Sequence, residues 1–196
     1  MHTVTIAEVT SPVGTLVLAV RDARLVALEF RRRWPRRRAW LERRFGAFVA
    51  GPATDAADVV RRLAAYFAGE LDALAPIAVD PAGTDFQRRV WGALRQIPPG
   101  RTMSYGELAR AIGSPAAVRA VGTANGANPI AIVVPCHRVI GGDGRLSGYA
   151  GGVERKRWLL AHEANHRGEA GKTGELFAAA TVTSRPETAT TLYFGR

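Results

Sequence analysis

Asn128-Pro129-Ile130-Ala131-Ile132-Val133-Val134-Pro135-Cys136-His137-Arg138-Val139-Ile140 is the stretch around which the rest of this chain is ordered. Two apolar runs, 130–134 and 139–140, flank a polar tetrad. Such runs predict buried strand that would hold the tetrad on a rigid frame. Cys136 is the one cysteine in 196 residues, so it makes no intrachain disulfide. A lone cysteine between aliphatic runs is ordinarily a small buried hydrophobe. Here an imidazole and a guanidinium follow directly, and both favour the thiolate, the form of sulfur that attacks carbon. Successive side chains of a strand point to opposite faces, so an extended chain cannot pair Cys136 with His137. Either the backbone turns after Pro135 or a water bridges the two groups.

Upstream, Thr84-Asp85-Phe86-Gln87 and Ser104-Tyr105-Gly106-Glu107 both read as capping boxes. The first opens a helix with Phe86, Val90, Leu94 and Ile97 on one face, stopped by Pro98-Pro99-Gly100. The second opens a short helix through Leu108 and Ile112. Gly113 turns the chain, Ser114 caps, and Pro115 takes the first position of a helix running to about Asn125. Two short helices joined through a glycine turn predict a helix-turn-helix. Its second helix is small residues around one arginine, Arg119. Small side chains suit close packing against another helix or against a duplex, and Arg119 favours the duplex. Downstream, 141–144 form a turn, 148–152 a loop, and 153–163 a helix with Trp158, Leu159 and Leu160 packed inward.

In the N-terminal half, residues 3–9, 15–20 and 24–30 read as an antiparallel meander. Six arginines then fall within residues 31–38, around Trp34 and Pro35. They read as a loop, with two uses: a phosphate-binding patch, or a solvated basic face. Val59, Val60, Leu63, Tyr66 and Phe67 lie at helical spacing and are core residues, with Gly69 ending that helix. Val79-Asp80-Pro81-Ala82-Gly83 resembles a linker, so a boundary is expected near it. The expected division is a first domain over 1–80, a second over 81–165, and a flexible tail over 166–196, where Leu192-Tyr193-Phe194 could dock.

An apolar fraction of 47% supports a packed core. No apolar run of about 18 residues is present, so no membrane span is expected. The first six residues lack signal-peptide character, which makes a cytoplasmic protein the expectation. The balance of 27 Lys+Arg against 17 Asp+Glu, net +10, points to a polyanionic partner, nucleic acid first. Two motif matches fail. His162-Glu163-Ala164-Asn165-His166 fits H-E-x-x-H, but it lies at a helix end without a third ligand, so no zinc site is expected. Gly171-Lys172-Thr173 lacks the earlier glycine of a phosphate loop.

The residues from Thr84 to Glu163 resemble the O6-alkylguanine-DNA alkyltransferases, also called methylated-DNA-protein-cysteine methyltransferases. The resemblance runs through Phe86-Gln87, Val90-Trp91, Ile97-Pro98, Ser104-Tyr105, Arg119-Ala120-Val121-Gly122, Ala124-Asn125-Gly126 and Asn128-Pro129-Ile130. It continues through Pro135-Cys136-His137-Arg138-Val139-Ile140, Gly148-Tyr149, Gly151-Gly152, Lys156 and Leu159-Leu160 to Glu163. It implies an α/β (α+β) fold, with a small ribonuclease-H-like antiparallel sheet domain followed by a helix-turn-helix alkyltransferase domain.

The resemblance also implies a protein that acts once, without metal or cofactor. Cys136 would take the alkyl group from O6 of guanine, and from O4-alkylthymine as a further substrate. His137, through a water, would take the thiol proton, and Glu163 would orient His137. Tyr105 would donate a proton toward the guanine ring. Val139, Tyr149 and Ala150 would line the base pocket, and Asn128 would brace the turn between the DNA-binding helix and the nucleophile. Arg119 would fill the stack left by a flipped nucleotide, with Ala117 and Ala120 against the minor groove of double-stranded DNA. A monomer is expected, with cooperative loading on DNA left open. The competing reading is a non-catalytic module that senses alkylated DNA, against which Cys136 itself argues. A helix-turn-helix transcription factor is disfavoured because the second helix lacks side chains that read base edges. A thiol hydrolase would need an oxyanion hole that the sequence does not show.

Overall fold

Near-continuous burial along the second and third N-terminal strands marks a sheet with both faces covered. The computed structural model describes residues 2–146 and 148–167. Strands β1 (His2–Val9), β2 (Leu16–Arg21) and β3 (Arg24–Phe30) form the expected antiparallel meander. A fourth strand, β4 (Phe48–Ala50), adds in parallel to β1, giving the order β3-β2-β1-β4. Three residues are too few for a period to register, so sequence reading missed it.

One face of the sheet, through Leu16, Leu18, Leu25 and Leu28, enters the main core. The other, through Val17, Ala19 and Ala27, meets Trp34 and Leu41. Those two belong to α1 (Trp34–Phe45), which corrects the expected arginine loop. Residues 31–33 make one 3-10 turn, and the helix follows with Pro35 in its first turn, where the missing N–H costs nothing. Arginine is a good helix former, and Trp34 and Leu41 are two turns apart, hence on one face.

Helix α2 (Ala57–Phe67) buries Val59, Val60, Leu63 and Tyr66 in the main core. The outer edge of β3 then receives two later segments. Leu25 N–H donates to Ala78 O at 2.9 Å and Asp80 N–H to Leu25 O at 2.9 Å, which seats the linker. Leu28 N–H donates to Pro129 O at 3.0 Å and Ala131 N–H to Leu28 O at 2.8 Å, which seats the start of the 128–140 stretch.

The second half runs α3 (Asp85–Leu94), β5 (Met103–Ser104), α4 (Tyr105–Ala111), α5 (Val118–Gly126), β6 (Val139–Ile140) and α6 (Val153–His166), with β5 and β6 parallel. Both capping boxes form, Thr84 with Gln87 and Ser104 with Glu107. Helix α3 stops at Leu94 rather than Ile97, because Gln96 and Ile97 close a turn onto Ala93 O and Leu94 O. Helix α5 starts at Val118 rather than Pro115, because Ala117 N–H closes a separate turn onto Ser114 O at 2.9 Å. The main core draws on both halves, from Ala7 to Leu159. No described helix is long and apolar enough to cross a membrane. The tail expectation beyond residue 167, including Leu192-Tyr193-Phe194, lies outside the described residues.

Candidate active site

Residues 130–134 were expected as strand; after the bridge at Ile130 they fold into a tight buried turn. Val133 N–H donates to Ala131 O at 2.8 Å, Val134 N–H to Ile130 O at 3.0 Å, and Cys136 N–H to Val134 O at 2.8 Å. Ile132 sits at φ 69°, a left-handed conformation that a β-branched residue adopts only under constraint. The Asn128 side chain supplies that constraint. Its Nδ2 donates to Val134 O at 2.8 Å and to Cys136 Sγ at 3.1 Å, and its Oδ1 accepts from Ile130 N–H at 3.0 Å. One amide thus replaces the partners a strand neighbour would have provided.

Residues 136–138 form a 3-10 turn, which abandons the two-faced alternation of a strand. His137 and Arg138 both reach Glu163 of α6, and all three are buried. Glu163 Oε1 accepts from His137 Nε2 at 2.9 Å, from Arg138 Nη2 at 2.8 Å and from the Tyr66 hydroxyl at 2.8 Å. Its Oε2 accepts from Arg138 Nε and from Gly100 N–H, each at 3.0 Å. Burial pushes this carboxyl up, but the bonds and charges of His137 and Arg138 outweigh it and hold Glu163 well below the ordinary carboxylate range.

With its Nε2–H donating to Glu163, His137 presents Nδ1 as a basic nitrogen that has no partner among the described residues. Burial lowers the His137 pKa, and the neighbouring carboxylate only partly opposes this, so the ring is neutral near pH 7.

The expectation that Arg138 favours the thiolate is corrected. Its guanidinium is spent on Glu163 and on Ile97 O, at 2.5 Å, and not on sulfur. Cys136 is 5% exposed. Burial, with a smaller push from Glu29, moves its thiol up to about 11 against the Asn128 hydrogen bond and Lys156. About one thiol in ten thousand is then ionised at pH 7. A base must therefore take the proton as sulfur attacks, and the neutral imidazole next in sequence is suited to that.

Cys136 faces a cavity of about 10 Å³, room for about one water, walled by Glu29, Phe30, Asn128, Tyr149, Ala150 and Gly151. Tyr149 and Ala150 are on this wall. Val139 is not: it is buried beyond the 3-10 turn, and its carbonyl accepts from Lys156 Nζ at 2.6 Å. Tyr105 opens α4 with its ring beside Gly122 of α5. Burial raises its phenol pKa, Asn125 opposes that, and Cys136 adds to it, so Tyr105 is protonated near neutral pH. Asn125 also donates to Cys136 O at 3.3 Å.

On α5, Val121, Ala124 and Asn125 point inward, while Val118, Arg119 and Ala120 are exposed; Ala117, just before the helix, is half-buried. Arg119 makes no ion pair among the described residues. The H-E-x-x-H residues each have another partner: Glu163 accepts from His137, His162 Nε2 bonds Tyr66 O at 2.8 Å, and His166 Nδ1 bonds His162 O at 2.8 Å.

Two members of the site, Tyr66 and Glu29, escaped sequence reading. Tyr66 looked like any core residue of an amphipathic helix, and nothing in its neighbours marks the hydroxyl. Glu29 sits in a strand where alternation leaves every second residue free to be polar. Arg138 was noticed, but its partner lies 25 residues away.

Residues 85–165 match the family model described as 6-O-methylguanine DNA methyltransferase, DNA binding domain. The methylated-DNA-protein-cysteine methyltransferase of Mycolicibacterium paratuberculosis is 53% identical over 160 residues, 81% of this chain and 91% of that protein. The crystal structure of Mycobacterium tuberculosis O6-methylguanine methyltransferase superposes with a TM-score of 0.69 at 47% identity, over 83% of this chain and 94% of that one. The structure of Mycobacterium tuberculosis OGT in complex with DNA gives the same TM-score, 0.69, at 45% identity, over 84% of this chain and 94% of that one. With a relative this similar over most of both lengths, and with Cys136 buried beside a His137–Glu163 pair, the chain belongs to the methylated-DNA-protein-cysteine methyltransferase family.

Proposed function

We propose that this protein repairs alkylated DNA by one irreversible transfer, from O6 of guanine, and from O4-alkylthymine as a second substrate, to Cys136. The observation that carries the reading is the buried thiol followed by an imidazole whose Nε2–H donates to Glu163 and whose Nδ1 is left basic. Sulfur forms a bond to the alkyl carbon as the carbon–O6 bond breaks, and that electron pair goes to the base. The thiol proton passes to His137 through a water, and Tyr105 gives a proton toward the guanine ring. The product thioether has no acidic leaving group, so the protein is consumed. No metal or cofactor takes part in these steps.

The substrate must leave the duplex, because a base paired in the stack does not reach a buried thiol. Helix α5 suits the minor groove of double-stranded DNA: Ala117 and Ala120 permit close approach, and exposed Arg119 can occupy the vacated stack. The relative solved with DNA supports nucleic acid as the partner. The protein acts as a cytoplasmic monomer, with cooperative loading along DNA compatible with its charge of +10. The division near residue 80, between a ribonuclease-H-like unit and the alkyltransferase unit, is part of the same proposal, and the family match beginning at residue 85 supports it.

Intact mass after mixing with duplex DNA containing O6-methylguanine tests the function. One methyl group per protein, on the peptide carrying Cys136, is the expected product. Tight lesion-selective binding without a mass change would favour the damage-sensing module instead.

Two further outcomes are expected. Arg119→Ala slows transfer from duplex DNA by about tenfold or more, since unstacking costs a few kcal/mol, while reaction with free O6-benzylguanine stays within about twofold. Equal losses on both substrates would remove the flipping role. The transfer rate is flat near neutrality and falls on acidification, because His137 must be neutral to accept a proton and burial sets its pKa below the ordinary value. A rate that climbs tenfold per pH unit from 7 to 9 would mean that a preformed thiolate attacks.

A further inference from the structure

Of the arginines in residues 31–38, most lie on the surface. Arg31 pairs with Glu8, Arg38 with Glu42 at 3.1 Å, and Arg32 and Arg36 are exposed. Arg33 and Arg37 instead turn toward the core. The Glu29 side chain, 5% exposed, lies with Oε2 3.5 Å from Arg33 Nε and 3.3 Å from Arg37 Nη2. Arg33 Nη1 then donates to Ala150 O at 3.1 Å, across 117 residues. Arg37 Nη2 donates to Asn128 O at 3.2 Å. Glu29 is itself on the wall of the cavity that Cys136 faces, together with Tyr149, Ala150 and Gly151.

The residue after Glu29 acts on the same loop. The Phe30 ring meets Tyr149 edge-on, with centroids 6.0 Å apart. It fills the space beside Gly151 so closely that a Cβ there would lie 2.3 Å from Phe30 Cε2. Arg155 covers the other side of Phe30, 4.8 Å from the ring centroid, and donates to Gly151 O at 2.8 Å. A trans peptide is planar, so a hydrogen bond to Ala150 O also fixes where the Gly151 N–H points, in the same plane and antiparallel to the carbonyl. A carboxylate this buried is stable only when paired: Arg37 hydrogen-bonds Glu29 Oε2, and Arg33, its side chain 34% exposed, adds a second cation at 3.5 Å.

We propose that Glu29 and Arg33 are positioning residues of the base pocket, holding the 150–151 peptide where an alkylated base is gripped. The proposal rests on the alkyltransferase reading and assigns part of the arginine-rich segment to the pocket rather than to DNA phosphates. Arg33 acts through Ala150, and Glu29 acts through Arg33.

The test compares the full-length protein with Arg33→Ala, Arg33→Lys, Glu29→Gln and the exposed control Arg36→Ala. Three quantities are measured for each: affinity for undamaged duplex, the concentration dependence of reaction with free O6-benzylguanine, and the number of benzyl groups accepted per protein. Arg33→Ala should raise the half-saturating concentration of the free base by about 10- to 100-fold, the scale set by misplacing a binding group by an ångström. Its duplex affinity should stay within about twofold of Arg36→Ala. Arg33→Lys should recover part of the loss, and Glu29→Gln should fall between the wild type and Arg33→Ala. Weakened duplex binding with an unchanged free-base curve would overturn the proposal in favour of a phosphate contact. A reduced number of benzyl groups with an unchanged half-saturation would overturn it in favour of a purely structural role. If the wild-type protein accepts no alkyl group from either substrate, the alkyltransferase reading itself falls, and the pocket assignment with it.

Discussion

Cys136→Ala, mixed with duplex DNA carrying O6-methylguanine, gains no mass and still binds the duplex. The effect is all-or-none because no second thiol is present in the 196 residues to take over. Binding survives because the surface assigned to DNA lies on α5, and the substitution removes one sulfur from a site that is 5% exposed. The cost in stability is small: the lost contact is one hydrogen bond from Asn128 Nδ2, which keeps Val134 O as a partner. A net loss of about 1 kcal/mol is the scale for such a bond. Intact mass and a binding titration on one preparation check both halves. Methyl transfer by Cys136→Ala would refute the nucleophile, and loss of duplex binding would mean that the thiol site and the DNA surface are not separable.

Glu163→Gln has the second largest expected effect, and it strikes stability as well as rate. Five donor groups converge on the two carboxylate oxygens: His137 Nε2, Arg138 Nε and Nη2, the Tyr66 hydroxyl and Gly100 N–H. A glutamine offers one acceptor oxygen and turns an NH₂ toward the remaining donors. It also leaves the Arg138 guanidinium, 8% exposed, without its counter-charge. Breaking one side of a buried pair costs about 3–5 kcal/mol. With its orienting partner gone, His137 loses the tautomer that exposes a basic Nδ1, and transfer should slow by about 10²- to 10⁴-fold. Thermal unfolding and single-turnover kinetics measure the two losses. A variant of wild-type stability and rate would show that Glu163 neither orients His137 nor neutralises Arg138.

The same carboxylate sets an acid limb. Its folded-state pKa lies below the unfolded one, so as pH falls the unfolded chain takes up the proton first. The stabilisation is complete above the ordinary glutamate value, about 4.3, and is lost progressively as pH falls toward the depressed folded value. Glu163→Gln should flatten that limb, apart from what the other carboxylates contribute.

The local grammar of the chain was legible. Thr84 with Gln87 and Ser104 with Glu107 form their capping boxes because each needs only residues three apart. The meander also formed as read, since short apolar runs separated by turn residues are a property of consecutive residues. Two readings failed for one shared cause. Residues 130–134 carry the composition of a strand, yet the Asn128 amide, with β3 alongside, folds them into a turn that holds Ile132 left-handed. Residues 31–38 look like a solvated loop, yet Trp34 and Leu41 find a sheet face to cover, and the segment becomes helix.

The sequence by itself determined the family, and it pointed to the thiol and the imidazole beside it, because these are matters of residue type and order. Tertiary structure alone decided where the long side chains point. Arg138 turns from the sulfur to Glu163, 25 residues on; Arg37 reaches Asn128, 91 residues on; and Arg33 reaches Ala150, 117 residues on. A guanidinium on a flexible stem has many reachable partners and no local preference among them. The buried carboxylates Glu29 and Glu163, which cannot remain unpaired, make the choice.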